Sequence, residues 1–153
     1  MLFLVAKVIP LNLSFFRDLH WYIAILLAVI YWVGYGLLIE PLSFSNVIME
    51  PKLFLFSILL YPIVEELVFR GLVQEFFLGY VFLQKQVLGL SQANIITSIL
   101  FAIFHLLNHE WFWALLIFFP SLVFGYFKDR HQSVLPCILL HSIYNLGFLT
   151  FLS

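Results

Sequence analysis

The stretch YPIVEELVFRG, residues 61–71, places three ionisable side chains, Glu65, Glu66 and Arg70, inside an otherwise apolar run. The surrounding chain has 153 residues, of which 64% are hydrophobic and only 10% are charged. A soluble domain usually carries about 25% charged residues. The chain therefore has too few polar side chains to cover a water-facing surface, and we expect an integral membrane protein surrounded by lipid.

Long apolar stretches define the expected fold. A membrane core of about 30 Å requires roughly 20 apolar residues per helix. The stretches that reach or approach this length are residues 20–39, 53–78, 93–107, 111–127 and 134–152. The sequence therefore predicts an all-α, polytopic transmembrane helix bundle with about five spans. Residues 1–19 are expected to form an interfacial amino-terminal segment, and residues 20–153 a single transmembrane domain.

Basic residues set the expected orientation of these spans. With five spans, one side collects Lys7, Arg17, Lys85, Lys128 and Arg130, and the other side collects only Lys52. Basic loops stay in the cytoplasm. The amino terminus is therefore predicted to be cytoplasmic. The sequence contains no run of basic residues that would indicate nucleic-acid binding. The expected surrounding partner is the lipid bilayer.

The charges of residues 61–71 fall well inside the second predicted span. A charge at the bilayer centre costs at least about 2.5–3.5 kcal/mol on insertion scales, so it needs a partner or a wet cavity. Glu66 and Arg70 are four residues apart and can form an ion pair on one helix face. Glu65 points about 100° away around the helix, toward a neighbouring helix. We therefore interpret Arg70 as the structural partner of Glu66.

Two other predicted spans carry polar side chains at helical spacing. The segment FAIFHLLNH contains His105, and HSIYN contains His141 and Asn145, four residues apart on one face. Each histidine alone is accounted for by an interhelical hydrogen bond that stabilises the bundle. Interhelical hydrogen bonding explains each residue separately but not the set. We therefore expect these three side chains to converge with Glu65 and Glu66 in one buried pocket.

Such a pocket is suited to hydrolysis. Burial disfavours the charged form of a carboxylate, so Glu65 could take a proton from water while His105 holds or shares that proton. His141 and the Asn145 amide could donate to the oxyanion that develops on a peptide carbonyl. In the alternative, Glu65, His105 and His141 bind zinc or another divalent metal, although no H-E-x-x-H pair is present. The metal-free version, with no cofactor, is favoured.

The three motifs resemble those of a known family. EELVFRG is similar to the EExxxR motif, FAIFH to FxxxH and HSIYN to HxxxN/D of the CPBP intramembrane proteases, which include CAAX prenyl endopeptidases and bacterial Abi-type proteins. The resemblance covers residues 57–148. It implies site residues at the matching positions, which are Glu65, Glu66, Arg70, His105, His141 and Asn145. Between the second and third motifs, Ser121 and Gly125 have the small-xxx-small spacing that permits close helix approach.

The resemblance implies an intramembrane endopeptidase that acts on a membrane-embedded or lipid-proximal protein. It identifies the chain as a short bacterial member, which would lie in the inner (cytoplasmic) membrane. Processing of a carboxyl-terminal sorting anchor is one expected activity, and its partner would be a membrane-anchored protein or peptide substrate. Two non-proteolytic alternatives stay open at this point, a proton-relay membrane subunit and a non-catalytic immunity or assembly factor.

Overall fold

The computed structural model describes residues 13–38, 51–108 and 110–151. A short 3-10 helix, Leu13–Arg17, precedes helix α1, Leu19–Leu38. Helix α2 comprises residues 51–78, and α3, α4 and α5 are Gln92–His105, Trp111–His131 and Leu135–Phe151. Between α2 and α3 lie a 3-10 helix, Val81–Gln84, and a minimal hairpin of strands β1, Gln86–Val87, and β2, Leu90–Ser91. The predicted all-α class is thus confirmed for the described residues.

Helix α2 is not a regular α-helix. It contains two π-helical stretches, Leu55–Leu60 and Leu67–Gln74, between short α-helical turns. In a π-helix each backbone N–H bonds to the carbonyl five residues earlier, and such stretches are frequent at functional sites. The site-bearing helix therefore departs from the regular geometry assumed from the sequence.

The ends of the other helices differ from the predicted ends by a few residues. The largest difference is in α4, which continues past Phe127 to His131. In this extension Lys128 forms an ion pair with Glu75 of α2 at 2.8 Å. Helix α4 ends where Gln132 adopts a left-handed backbone conformation, with φ of 51°. A charged turn thus extends a helix that the apolar pattern alone ended early.

Two helices of the described chain are long and apolar enough to cross a membrane, Leu19–Leu37 and Trp111–His131. Two shorter apolar helices, Gln92–His105 and Leu135–Thr150, accompany them. Five membrane spans therefore stay a prediction. The predicted interfacial residues 1–12, with Lys7, and the predicted span ends at residues 39 and 152 lie outside the described residues.

The chain divides into two compact units, and the first contains described residues 65–137. The carboxyl-terminal part of α2 packs there with α3 and α4. Its buried positions are polar at the spacing i, i+4, i+8, with Glu66, Arg70 and Gln74 all at 0% exposure. Its large exposed side chains include Leu72 and Phe76, which are 55% and 62% exposed, and Glu75 is a charged residue among them. This arrangement of polar inside and apolar outside is the one that a lipid environment favours.

Helix α3 contacts α4 at Gly125, one of the two small residues in the small-xxx-small spacing. A Cβ added at Gly125 would lie 1.8 Å from Oδ1 of Asn94. Asn94 is buried, donates from Nδ2 to the Leu122 carbonyl at 2.9 Å and accepts from the Ser98 hydroxyl at 3.1 Å. The amide of Asn94 therefore fills the space that glycine leaves open.

The second unit contains described residues 13–38, 51–64 and 138–151. Helix α5 contacts α1 through Tyr144, whose hydroxyl donates to the Ala24 carbonyl at 3.1 Å. One turn further along α5, a Cβ added at Gly147 would lie 2.2 Å from Nε1 of Trp32. Phe148 meets the same indole edge-on, with ring centroids 6.2 Å apart. Large α1 side chains thus pack directly on the α5 backbone.

We predict that Gly125→Ala destabilises the protein by about 1–3 kcal/mol, the usual cost of overpacking a well-packed core. The added methyl must displace Asn94 and break its two hydrogen bonds. Gly34→Ala is the matched control, because nothing lies within 4 Å of a Cβ added there. Alanine is the better helix former, so this control should unfold at or above the wild-type temperature. Equal thermal unfolding of both variants in detergent would contradict the packing described.

Candidate active site

The ion pair inside residues 61–71 is fully buried. Arg70 Nε donates to Glu66 Oε2 at 3.1 Å, and both side chains have 0% exposure. The guanidinium also donates through Nη2 to the hydroxyl and the carbonyl of Ser121, at 2.5 and 2.9 Å. It lies over the ring of Phe101, 5.6 Å from the ring centroid. The charge of Arg70 is therefore balanced by contacts on three helices.

A chain of hydrogen bonds extends this pair along α2. Arg70 Nη1 donates to Gln74 Oε1 at 3.3 Å, and Gln74 Nε2 donates to the Gly125 carbonyl at 3.1 Å and to Asp129 Oδ1 at 2.8 Å. The Ser91 hydroxyl donates to Asp129 Oδ2 at 2.6 Å. The Ser91 oxygen also accepts the backbone N–H of Asn94 and thereby caps the amino terminus of α3. One polar network thus ties α2, α3 and α4 together.

Glu65 and His105 face each other from neighbouring helices. Glu65 Oε2 lies 3.9 Å from His105 Nε2, and the two side chains are 22% and 13% exposed. This separation is too long for a direct hydrogen bond. One small molecule, such as a water, can contact both atoms across it. Glu65 and His105 therefore form a partly buried pair, and Glu65 projects about 100° around α2 from Glu66.

The orientation of His105 is set by its other ring nitrogen. His105 Nδ1 lies 2.9 Å from the carbonyl oxygen of Phe101. A carbonyl oxygen only accepts hydrogen bonds, so Nδ1 carries the hydrogen and donates it. In the neutral ring Nε2 then keeps its lone pair, which faces Glu65. The Phe101 ring also contacts the imidazole in a tilted arrangement, with ring centroids 4.5 Å apart. The Phe101–His105 spacing therefore fixes both tautomer and direction.

His141 and Asn145 belong to the second unit. His141 is buried, with 6% exposure. Asn145 is partly buried, and its Nδ2 donates to the backbone carbonyl of Ser57 at 2.8 Å. The meeting of these two side chains with Glu65 and His105 stays a prediction.

Two of the three residues of the predicted metal set face each other in the structure. The Glu65 carboxylate and the His105 Nε2 atom are donor types that zinc accepts. Among the described residues no group of three or more His, Cys, Asp and Glu side chains is arranged to hold a metal ion. The third ligand of the predicted metal set, His141, lies in the other unit.

Sequence reasoning did not identify the residues that extend the ion pair. Gln74, Asp129 and Ser91 are ordinary polar residues taken singly, and Asp129 lies 55 positions from Gln74. One signal was available, since Gln74 continues the four-residue spacing of Glu66 and Arg70. Ser57 gave no signal, because its backbone carbonyl and not its side chain makes the contact.

Comparison with known proteins places these observations in a family. The family model described as "Type II CAAX prenyl endopeptidase Rce1-like" matches residues 47–147, which is 101 of the 153 residues. The match spans all three motifs. A search of curated proteins found no match, and neither did a search of solved structures.

We predict that Arg70→Met destabilises the protein by about 3–5 kcal/mol, because it leaves the Glu66 carboxylate buried without its cation. The double variant Glu66→Leu with Arg70→Met should recover part of this loss, since no buried charge is then left over. Arg130→Met, at an exposed arginine on α4, is the control. Thermal unfolding of the purified variants in detergent measures the ranking. An Arg70→Met protein as stable as Arg130→Met would refute the structural role of the ion pair.

Proposed function

The chain belongs to the type II CAAX prenyl endopeptidase Rce1-like family, a family of membrane proteases, and from this premise we propose that it is an intramembrane endopeptidase. Its substrate would be a membrane-anchored protein, cut at a peptide bond within or next to the lipid. Glu65, Glu66, His105, His141 and Asn145 would form the active site, with Arg70 as the structural partner of Glu66.

One observation carries this proposal, the facing of Glu65 and His105 at 3.9 Å. The gap suits a nucleophilic water that contacts the carboxylate and the imidazole together. The Phe101 carbonyl keeps the lone pair of His105 Nε2 toward this position. A base must lie within hydrogen-bond reach of the proton that it abstracts, directly or through one water. Glu65 satisfies this requirement for a water placed in the gap.

The reaction would proceed through a tetrahedral intermediate. Glu65 takes a proton from the water as the water oxygen attacks the peptide carbonyl carbon, and His105 shares that proton. His141 and the Asn145 amide donate to the oxyanion, a stabilisation worth about 2.7–4 kcal/mol per donor in other hydrolases. The C–N bond then breaks, and the proton held between Glu65 and His105 passes to the leaving amine. Glu66 keeps its contact with Arg70 and holds the helix that carries Glu65.

The membrane arrangement is part of the proposal. We place five helices across the bacterial inner (cytoplasmic) membrane, with the amino terminus in the cytoplasm. The exposed apolar residues of α2 and the two helices long enough to span support a lipid surrounding. Within this arrangement, the carboxyl-terminal sorting anchor of an exported protein is a suitable substrate, because it presents a scissile bond beside a transmembrane helix.

A metal-assisted version of the same hydrolysis is the second candidate. The Glu65 carboxylate and His105 Nε2 are both zinc-ligand types, and they already face each other. With His141 they would hold the ion, which would polarise the carbonyl and lower the pKa of a bound water.

We predict that Glu65→Gln lowers the rate of cleavage at least about 100-fold, the usual loss on removing a general base. Glutamine has nearly the same shape, so the folded protein should unfold at the wild-type temperature. Cleavage is measured with purified protein in liposomes, on a prenylated CAAX-type peptide and separately on a peptide carrying an anchor helix.

Glu110→Gln is the matched control, since Glu110 is an exposed carboxylate in the same unit as Glu65. Its cleavage rate should equal that of the wild type. Wild-type cleavage by Glu65→Gln on both substrates would refute the proposal. The same assay after dialysis against a strong chelator separates the two versions, because only the metal-assisted version loses activity and regains it with zinc.

A further inference from the structure

The contact between Asn145 and Ser57 depends on a missing hydrogen-bond donor. Ser57 lies in the π-helical stretch Leu55–Leu60 of α2. In a π-helix each carbonyl accepts a hydrogen bond from the backbone N–H of the residue five positions later. For the Ser57 carbonyl, that residue is Pro62. Proline has no N–H. The Ser57 carbonyl therefore cannot receive the π-type hydrogen bond that its neighbours receive.

The preceding residue does not replace that donor. The backbone N–H of Tyr61, which would reach Ser57 in an α-helix, bonds instead to the Phe56 carbonyl, five residues back. Ser57 is partly buried, and a carbonyl shielded from water costs free energy when it has no partner, so such a group binds another donor. Here the donor is Nδ2 of Asn145, at 2.8 Å. All of these residues belong to the second unit.

We infer that Pro62 is a positioning residue for Asn145, acting through the carbonyl that it leaves open. A carboxamide carries two N–H donors on Nδ2. The Ser57 carbonyl accepts one and so fixes the amide plane and the direction of the second. The inference rests on the proposed function, in which that second N–H donates to the oxyanion.

The contact also favours an amide over a carboxylate at position 145. A carbonyl oxygen can accept from an amide N–H, whereas an ionised aspartate offers acceptors only. The carbonyl that orients Asn145 would repel a carboxylate there. The HxxxN/D pattern permits either asparagine or aspartate at this position. In this chain the Ser57 carbonyl favours asparagine.

A double-mutant cycle on kcat tests the inference. Pro62→Ala returns an N–H to position 62, which competes for the Ser57 carbonyl and releases the Asn145 amide. We expect kcat to fall about tenfold with KM unchanged, because a misplaced group weakens only the transition-state contact. Asn145→Ala should lower kcat about 100-fold. In that background Pro62→Ala should change kcat less than about twofold, since its target is gone.

The control is Pro120→Ala, at a proline inside α4. It should leave kcat unchanged in both backgrounds, and unfolding temperatures of all variants report any general loss of fold. An equal fall in kcat from Pro62→Ala with and without Asn145 would show a structural effect and overturn the inference. A normal kcat for Pro62→Ala together with a lowered kcat for Asn145→Ala would overturn the positioning role of Pro62 and leave the proposed oxyanion role of Asn145 standing. A normal kcat for Asn145→Ala would overturn the oxyanion role and the positioning role together.

Discussion

The buried charge of Arg70 is the constraint on which the first unit depends. Arg70 is the largest fully buried side chain among the described residues. A buried guanidinium is tolerable only when its donors find acceptors. Glu66, Gln74 and Ser121 supply these acceptors from two helices. The hydrogen bonds of the Arg70 guanidinium therefore hold α2 and α4 in a fixed register. The ring of Phe101 on α3 packs against the same guanidinium.

The same constraint positions two residues of the proposed active site. With Glu66 held by Arg70, the next residue in the sequence, Glu65, projects from a different side of α2. Phe101 contacts Arg70 with its ring and His105 with its carbonyl. The residues that hold the ion pair thus also orient the imidazole that faces Glu65. In lipid, where unmet polar groups are costly, such a shared scaffold gives a polar site without a large polar interior.

The sequence was informative where one helix face or one motif contained the whole interaction. The i, i+4 spacing indicated the Glu66–Arg70 pair, and the small-xxx-small spacing includes Gly125, where α3 contacts α4. It was uninformative where partners lie far apart in the chain, as for Gln74 and Asp129. The π-helical stretches were also missed, because they depend on backbone hydrogen bonding and not on residue pattern. Pro62 is visible in the sequence as a residue without a backbone N–H, but its effect on Asn145 required the position of the Ser57 carbonyl.

The central claim is that Glu65 activates water for peptide-bond hydrolysis inside the membrane. It is tested most directly by mapping protein termini in membranes incubated in ¹⁸O-labelled water, with wild-type protein and with Glu65→Gln. We predict new carboxyl termini that carry ¹⁸O, next to predicted membrane anchors, in the wild-type sample and not in the variant. An identical set of termini in the two samples would contradict the claim.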